Sequence, residues 1–127
     1  VQTCALPIFE RILVVMGERG MFPASLATTA ADVMISVFDA KGRPAALRVA
    51  GLLRSAGLRV LVYPDVEKIG KQIKYADSRQ IPFVALLGDD EIAGGTVTVK
   101  DLKAQTQTSY TQEAAGAAIL ERLRQRG

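Results

Sequence analysis

"FVALLG", Phe83 to Gly88, then "DDEIAGG", then "TVTVKDL", Thr96 to Leu102, is the stretch that decides how this chain folds. The first segment is apolar on both faces, the mark of a central strand covered on two sides. The last alternates strictly, with Val97 and Val99 on one face and Thr96, Thr98 and Lys100 on the other. The residues between them are too few for a crossover helix, so the second strand must return antiparallel, and its alternation predicts one exposed face. "DDEIAGG" itself reads as a turn or short loop.

Working back from Phe83, the rhythm is strand, helix, strand, helix. "VMISVF" (Val33 to Phe38) is a short apolar, β-branched run and predicts a buried strand. "DAKGRP" turns the chain into "AALRVAGLLRSAG", where Leu47, Ala50 and Leu53 form an apolar stripe at helical spacing. Gly57 stands where helices end. "LRVLVY" (Leu58 to Tyr63) is the next strand, and Pro64 and Asp65 lead to a helix from about Glu67 to Gln80, closed before Pro82. Short connections between such elements imply parallel pairing with right-handed crossovers. Beyond Leu102, "QTQTSY" alternates as an edge-like strand. "TQEAAGAAILERLRQRG" predicts a final helix, with Thr111 as cap, Glu113 in the first turn and arginines in the last. The sum is an α/β fold, a mixed five-stranded sheet with three helices, preceded by a separate helix at "FERILVVMGERG" (Phe9 to Gly20) and a small-residue linker at 21–31. In "VQTCALPI", Pro7 is expected to break the approach to that helix.

Composition removes whole classes of chemistry. The 127 residues suffice for one domain, and about half are apolar (49%), so a core forms without staples. There is no histidine, which excludes serine–histidine and cysteine–histidine pairs and imidazole metal sites. The lone Cys4 cannot form an internal disulfide. No apolar run approaches the roughly 20 residues of a membrane span, and a soluble, cytoplasmic protein is the expectation. A net charge of +3 is compatible with nucleic acid without demanding it.

The chemistry-bearing stretch is "KIGKQIKYADSRQIP", Lys68 to Pro82. Ile69, Ile73 and Ala76 are expected to pack on the sheet, with Lys68, Lys71, Gln72 and Tyr75 together on roughly the opposite side and Lys74 just beyond Lys71. Lysines attract phosphate, Gln72 can read a base edge or a backbone oxygen, and Tyr75 can stack or donate a hydrogen bond, a kit suited to single-stranded RNA. The competing reading is a solvated helix face whose lysine stems cover apolar surface. Tyr63 stands at a strand's carboxyl end, where ligands of open α/β sheets gather. Asp89, Asp90 and Glu91 offer oxygen ligands for a cation, but in this context read as a turn. Asp39 and Asp89 sit at strand ends as in phosphorylated receiver domains, without the acidic pair such a site needs. No phosphate-cradling glycine loop is present.

The segment from Ala46 to Leu102 resembles the C-terminal anticodon-binding domain of histidyl-tRNA synthetases, which are class II enzymes. "LRSAGLRV" is similar to that family's helix-to-strand junction, "KIGKQIKYADSRQIPF" to its second helix and following strand, and "LLGDDEIAGGTVTVKDL" to its hairpin. The resemblance runs from about Val33 to Leu123 and implies an anticodon-binding domain over 32–127. It implies tRNA contacts from Lys71, Gln72 and Tyr75 first, then Lys68, Lys74, Tyr63 and, at the sheet edge, Glu91. It also makes 9–20 similar to the helix of the third class II signature motif. Glu10 and Arg11 match that motif's pair, whose arginine contacts ATP in the family. Residues 1–8 fit neither the family nor the local pattern and are expected to be extraneous. The implied parent joins histidine to its tRNA with ATP and Mg2+ and acts as a homodimer. This chain alone, carrying neither cofactor nor metal, would bind the histidine tRNA and not catalyse. The rival expectation is a non-catalytic α/β interaction domain that contacts a protein partner.

Overall fold

The computed structural model describes residues 2–23 and 29–126. Its elements are α1 (Gln2–Glu18), β1 (Val33–Ile35), α2 (Arg43–Ser55), β2 (Val60–Val62), α3 (Ile69–Ser78), β3 (Phe83–Leu86), α4 (Asp89–Gly94), β4 (Thr96–Asp101), β5 (Thr106–Thr111) and α5 (Ala115–Arg124). The strands form one sheet in the order β2-β1-β3-β4-β5. β1 pairs parallel with β2 and β3, and β4 pairs antiparallel with β3 and β5. The double-sided apolar strand β3 thus occupies the centre, and the polar alternation of "QTQTSY" places β5 at the edge.

Alternation along the strands builds two cores. Val33, Ile35, Phe83, Ala85, Val97 and Val99 face α2 and α5, which add Ala46, Val49, Ala50, Leu53, Ala115 and Ile119. Met34 and Val84 face the other way, against Ala76 of α3, with Ile81 and Leu102. Each fully buried side chain of the size of Phe83 or Leu53 contributes about 1.5–3 kcal/mol. α2 and α5 meet at Gly116, where an added Cβ would lie 2.7 Å from Ala56 Cβ. Gly57 (φ +95°) ends α2: its amide bonds Arg54 O at 2.9 Å, and Leu58 N bonds Leu53 O at 3.2 Å. Only glycine adopts this left-handed turn cheaply, and it folds buried Leu58 back under the helix.

The structure departs from the sequence reading in several places. The inward stripe of α2 is Ala46, Val49, Ala50 and Leu53, and Leu47 is 55% exposed, because the sheet meets the helix one position away from it. "DDEIAGG" is a short helix: three acidic residues fill the first turn of α4, where the exposed amides favour negative charge. α5 starts at Ala115, since Thr111 is the last residue of β5 and its hydroxyl accepts from Ala114 N at 3.3 Å. α1 runs through Pro7 from Gln2, so the expected break does not occur. Proline already holds φ at a helical value and costs the helix one hydrogen bond instead of its continuity. No described helix is long and apolar enough to cross a membrane.

Candidate nucleic-acid interface

α3 was expected to present Gln72 to solvent, and the structure overturns this. Gln72 is fully buried. Its Nε2 donates to Val37 O at 2.9 Å and to Glu67 O at 2.7 Å, and its Oε1 accepts from Val37 N at 3.1 Å. The amide thereby pairs the backbone just beyond β1, where the strand ladder stops. The physical reason lies in the helix wheel: at about 100° per residue Gln72 is only about 40° from Ala76, on the same face. Polarity pointed outward, but angle decided.

The other residues of this helix separate into two groups. Tyr63, Glu67, Lys71 and Tyr75 form a self-satisfied cluster on the β2 flank. Tyr63 Oη donates to Glu67 Oε2 at 2.8 Å, Lys71 Nζ donates to Glu67 Oε1 at 3.0 Å, and the two tyrosine rings meet edge to face at 5.4 Å. The Arg79 guanidinium lies 5.4 Å from the Tyr75 ring centroid. The hydrogen bond to the Glu67 carboxylate raises the Tyr63 phenol above its ordinary value. The Lys71 and Tyr63 hydrogen bonds lower Glu67. A base stacking on Tyr75 would have to displace Arg79, and a phosphate on Lys71 would compete with Glu67. Lys68 and Lys74 are exposed and form no ion pair among the described residues. Lys74 stands on the crest of α3, about 160° round the wheel from Ala76.

The second candidate surface is a sheet face that sequence reasoning did not single out. Register pairs Thr96 with Thr111, Thr98 with Ser109 and Lys100 with Gln107. These six side chains share the face opposite Val97 and Val99. α3 covers this side of the sheet over Met34 and Val84, but no described helix covers β5, and Gln107, Ser109 and Thr111 are exposed. Thr98 is buried because its neighbours close over it: its Oγ1 donates to Glu91 Oε1 at 3.1 Å and lies 2.9 Å from Ser109 Oγ. Glu91 also accepts from Gly88 N at 3.0 Å, so its carboxylate fixes the start of α4 and stands at the border of the open face. Lys100 makes no ion pair among the described residues. The result is a polar floor of hydroxyls, an amide and a cation, bordered by a carboxylate that accepts and by the lysine-bearing helix. Only alternation could have signalled it, and alternation does not say which face a helix leaves open.

The remaining candidate positions carry less. Asp39 Oδ1 accepts from Gly42 N at 2.6 Å and so shapes the turn before α2. No cluster of three or more Cys, Asp or Glu suited to a metal ion occurs among the described residues. Arg11 lies exposed on α1.

Comparison with known proteins adds three findings. Residues 32–122 match the family model described as "Anticodon binding domain". The chain is 38% identical over 110 residues to a histidine–tRNA ligase of Christiangramia forsetii, covering 87% of this chain and 24% of that protein. It is 34% identical over 116 residues to a histidine–tRNA ligase of Stenotrophomonas maltophilia, covering 91% and 25%. The chain thus spans about a quarter of the length of these curated relatives. A crystal structure of histidyl-tRNA synthetase from Nostoc sp. PCC 7120 superposes with a TM-score of 0.75 at 29% identity, over 91% of this chain and 28% of that one.

Proposed function

The chain belongs to the anticodon-binding domain family, and from that premise we propose that it is the part of a histidine–tRNA ligase that grips the anticodon loop of the histidine tRNA. Its likeness to proteins named for that activity supports the assignment. The longer protein would join histidine to the tRNA with ATP and Mg2+, in the cytoplasm and as a homodimer. This chain supplies recognition and no chemistry.

The observation that carries the reading in the structure is the uncovered polar face of β4 and β5. Splayed bases are read by hydrogen bonds on their edges, and a floor of Gln107, Ser109 and Lys100 bordered by Glu91 offers both donors and acceptors. Lys74 on the crest of α3 is placed for the backbone phosphates of the same loop, whereas Lys68, just before α3, falls about 20° from Tyr75 on the wheel, on the flank toward β2. Tyr63, Lys71 and Tyr75 lie on the far flank of α3 and serve chiefly to hold it against β2.

Titrating the histidine tRNA and an anticodon-swapped copy tests the function. Tighter binding of the first is expected. Equal affinities, or no binding by either, would leave the protein-partner reading in its place.

A further inference from the structure

β5 is the last strand of the sheet, and its alternation gives it two different sides. Gln107 and Ser109 belong to the uncovered polar face, whereas Thr106 and Thr108 point to the side of α5. There Arg122, Gln125 and Arg126 fall together at the end of α5, three and four residues apart. With Asp101, Ala104 and Thr106 they line a cleft of about 360 Å³. Only the thickness of one strand separates this cleft from the open face.

Its donors outnumber its acceptors. Arg122 Nη2 donates to Thr108 Oγ1 at 3.2 Å, and its guanidinium lies 6.0 Å from the Tyr110 ring centroid, so its position is set from two sides. It makes no ion pair among the described residues. Arg126 pairs with buried Asp101 and lies 4.7 Å from the Phe83 ring centroid. A guanidinium has five N–H donors, and a single side-chain bond of each is satisfied among the described residues. The Asp101 carboxylate also accepts from the amides of Lys103 and Ala104 at 3.0 and 2.9 Å, so its charge is already covered. Glu121 accepts from Gln125 Nε2 at 3.4 Å without lining the cleft. The carbonyl end of α5 opposes an anion, which makes the site depend on its guanidiniums. Their planar forks suit the oxygens of a phosphate. We propose that this cleft holds a backbone phosphate of the RNA strand whose bases lie on the open face, the strand crossing the sheet edge at β5. Outward amides of an edge strand are unpaired and would meet it on the way. The inference rests on the RNA reading of the open face and adds a second, sequence-independent contact to it.

Arg122→Gln and Arg122→Lys test it, since Arg126 is tied to Asp101 and therefore to stability; circular dichroism confirms that each variant folds. Anticodon hairpins, histidine and swapped, are titrated at several salt concentrations. Arg122→Gln should weaken both hairpins by the same factor and lower the salt slope by about 0.7, while Arg122→Lys keeps the parent slope. In the 15N-labelled parent chain, inorganic phosphate should move the Arg122 Nε and Gln125 Nε2 signals saturably. A parent chain that prefers the histidine hairpin, with an Arg122→Gln variant of unchanged slope, would overturn the crossing at β5 and leave the recognition reading standing. Saturable phosphate shifts in a chain that binds neither hairpin would overturn the RNA occupant and assign the cleft to free phosphate. Absence of saturable phosphate shifts would overturn the anion site itself.

Discussion

Gln72 is bound to Val37, 35 residues away, as a neighbouring strand would be: Nε2 donates to the carbonyl at 2.9 Å and Oε1 accepts from the amide at 3.1 Å. The side chain extends the β1 ladder by one pairing and locks α3 over the sheet. Gln72→Leu keeps the volume but leaves a buried donor and acceptor without partners, at about 1–3 kcal/mol each. A loss of about 2–4 kcal/mol in urea unfolding is expected, with unchanged RNA affinity for the folded protein. Normal stability with weakened RNA binding would return Gln72 to the interface.

Two glycines should respond in opposite directions. A Cβ on Gly116 would meet Ala56 Cβ at 2.7 Å, in the contact between α5 and α2. Gly116→Ala must push the helices apart and should cost about 1–3 kcal/mol. At Gly51, in the middle of α2, a Cβ meets nothing within 4 Å. Gly51→Ala should stabilise by about 0.5–1 kcal/mol through helix propensity alone. Thermal melts of the two variants check the pair, and a shared sign would contradict the packing described.

Acid should loosen the β4–β5 hairpin. Asp101 is buried, which opposes its charge, but the Arg126 guanidinium and the amides of Ala104 and Lys103 outweigh burial and hold its carboxyl below the ordinary 3.8. A carboxyl lowered on folding stabilises the fold above its unfolded value, and that contribution is lost as pH falls through the folded value. Stability should therefore decline below about pH 4. Asp101→Asn should be less stable at neutral pH by roughly 1–3 kcal/mol and show a shallower acid limb. Asp32 is held low too: burial opposes its charge, but its hydrogen bonds and ion pair with Arg59 prevail, so part of the limb remains. An acid limb as steep in the variant as in the parent would contradict the role of Asp101.

How much of this was legible in the sequence depended on the range of the interaction. β3, β4 and β5 were readable because apolar runs and strict alternation are local signals, and so was the switch from parallel to antiparallel. α4 was not, because six residues hold too little periodicity and an acidic first turn resembles a loop. Gln72 was misplaced because its partner at Val37 is invisible in local pattern. The face bearing Lys100, Gln107 and Ser109 becomes a candidate only once the topology shows which side α3 leaves uncovered. That Lys68 and Lys74 are exposed was legible because cations on an amphipathic helix are a local signal.

Lys100 on β4 and Lys71 on α3 should differ. Lys100→Ala should weaken binding of every anticodon hairpin and lower the slope of the salt dependence by about 0.7, the contribution of one phosphate contact to a single strand. Lys71 is held by Glu67 at 3.0 Å on the opposite flank, and Lys71→Ala should leave both affinity and slope near the parent values. Fluorescence titrations at several salt concentrations give both quantities. The reverse pattern would move the interface to the Tyr63 and Tyr75 cluster.

The most direct test is a map of backbone amide shifts in the 15N-labelled chain on addition of a hairpin bearing the histidine anticodon. The account predicts that the largest changes fall on Thr98, Lys100, Gln107 and Ser109, with Glu91 and Lys74 at the border, and that they shrink with a swapped anticodon. Changes concentrated on Tyr63, Lys71 and Tyr75, or none at saturating hairpin, would contradict it.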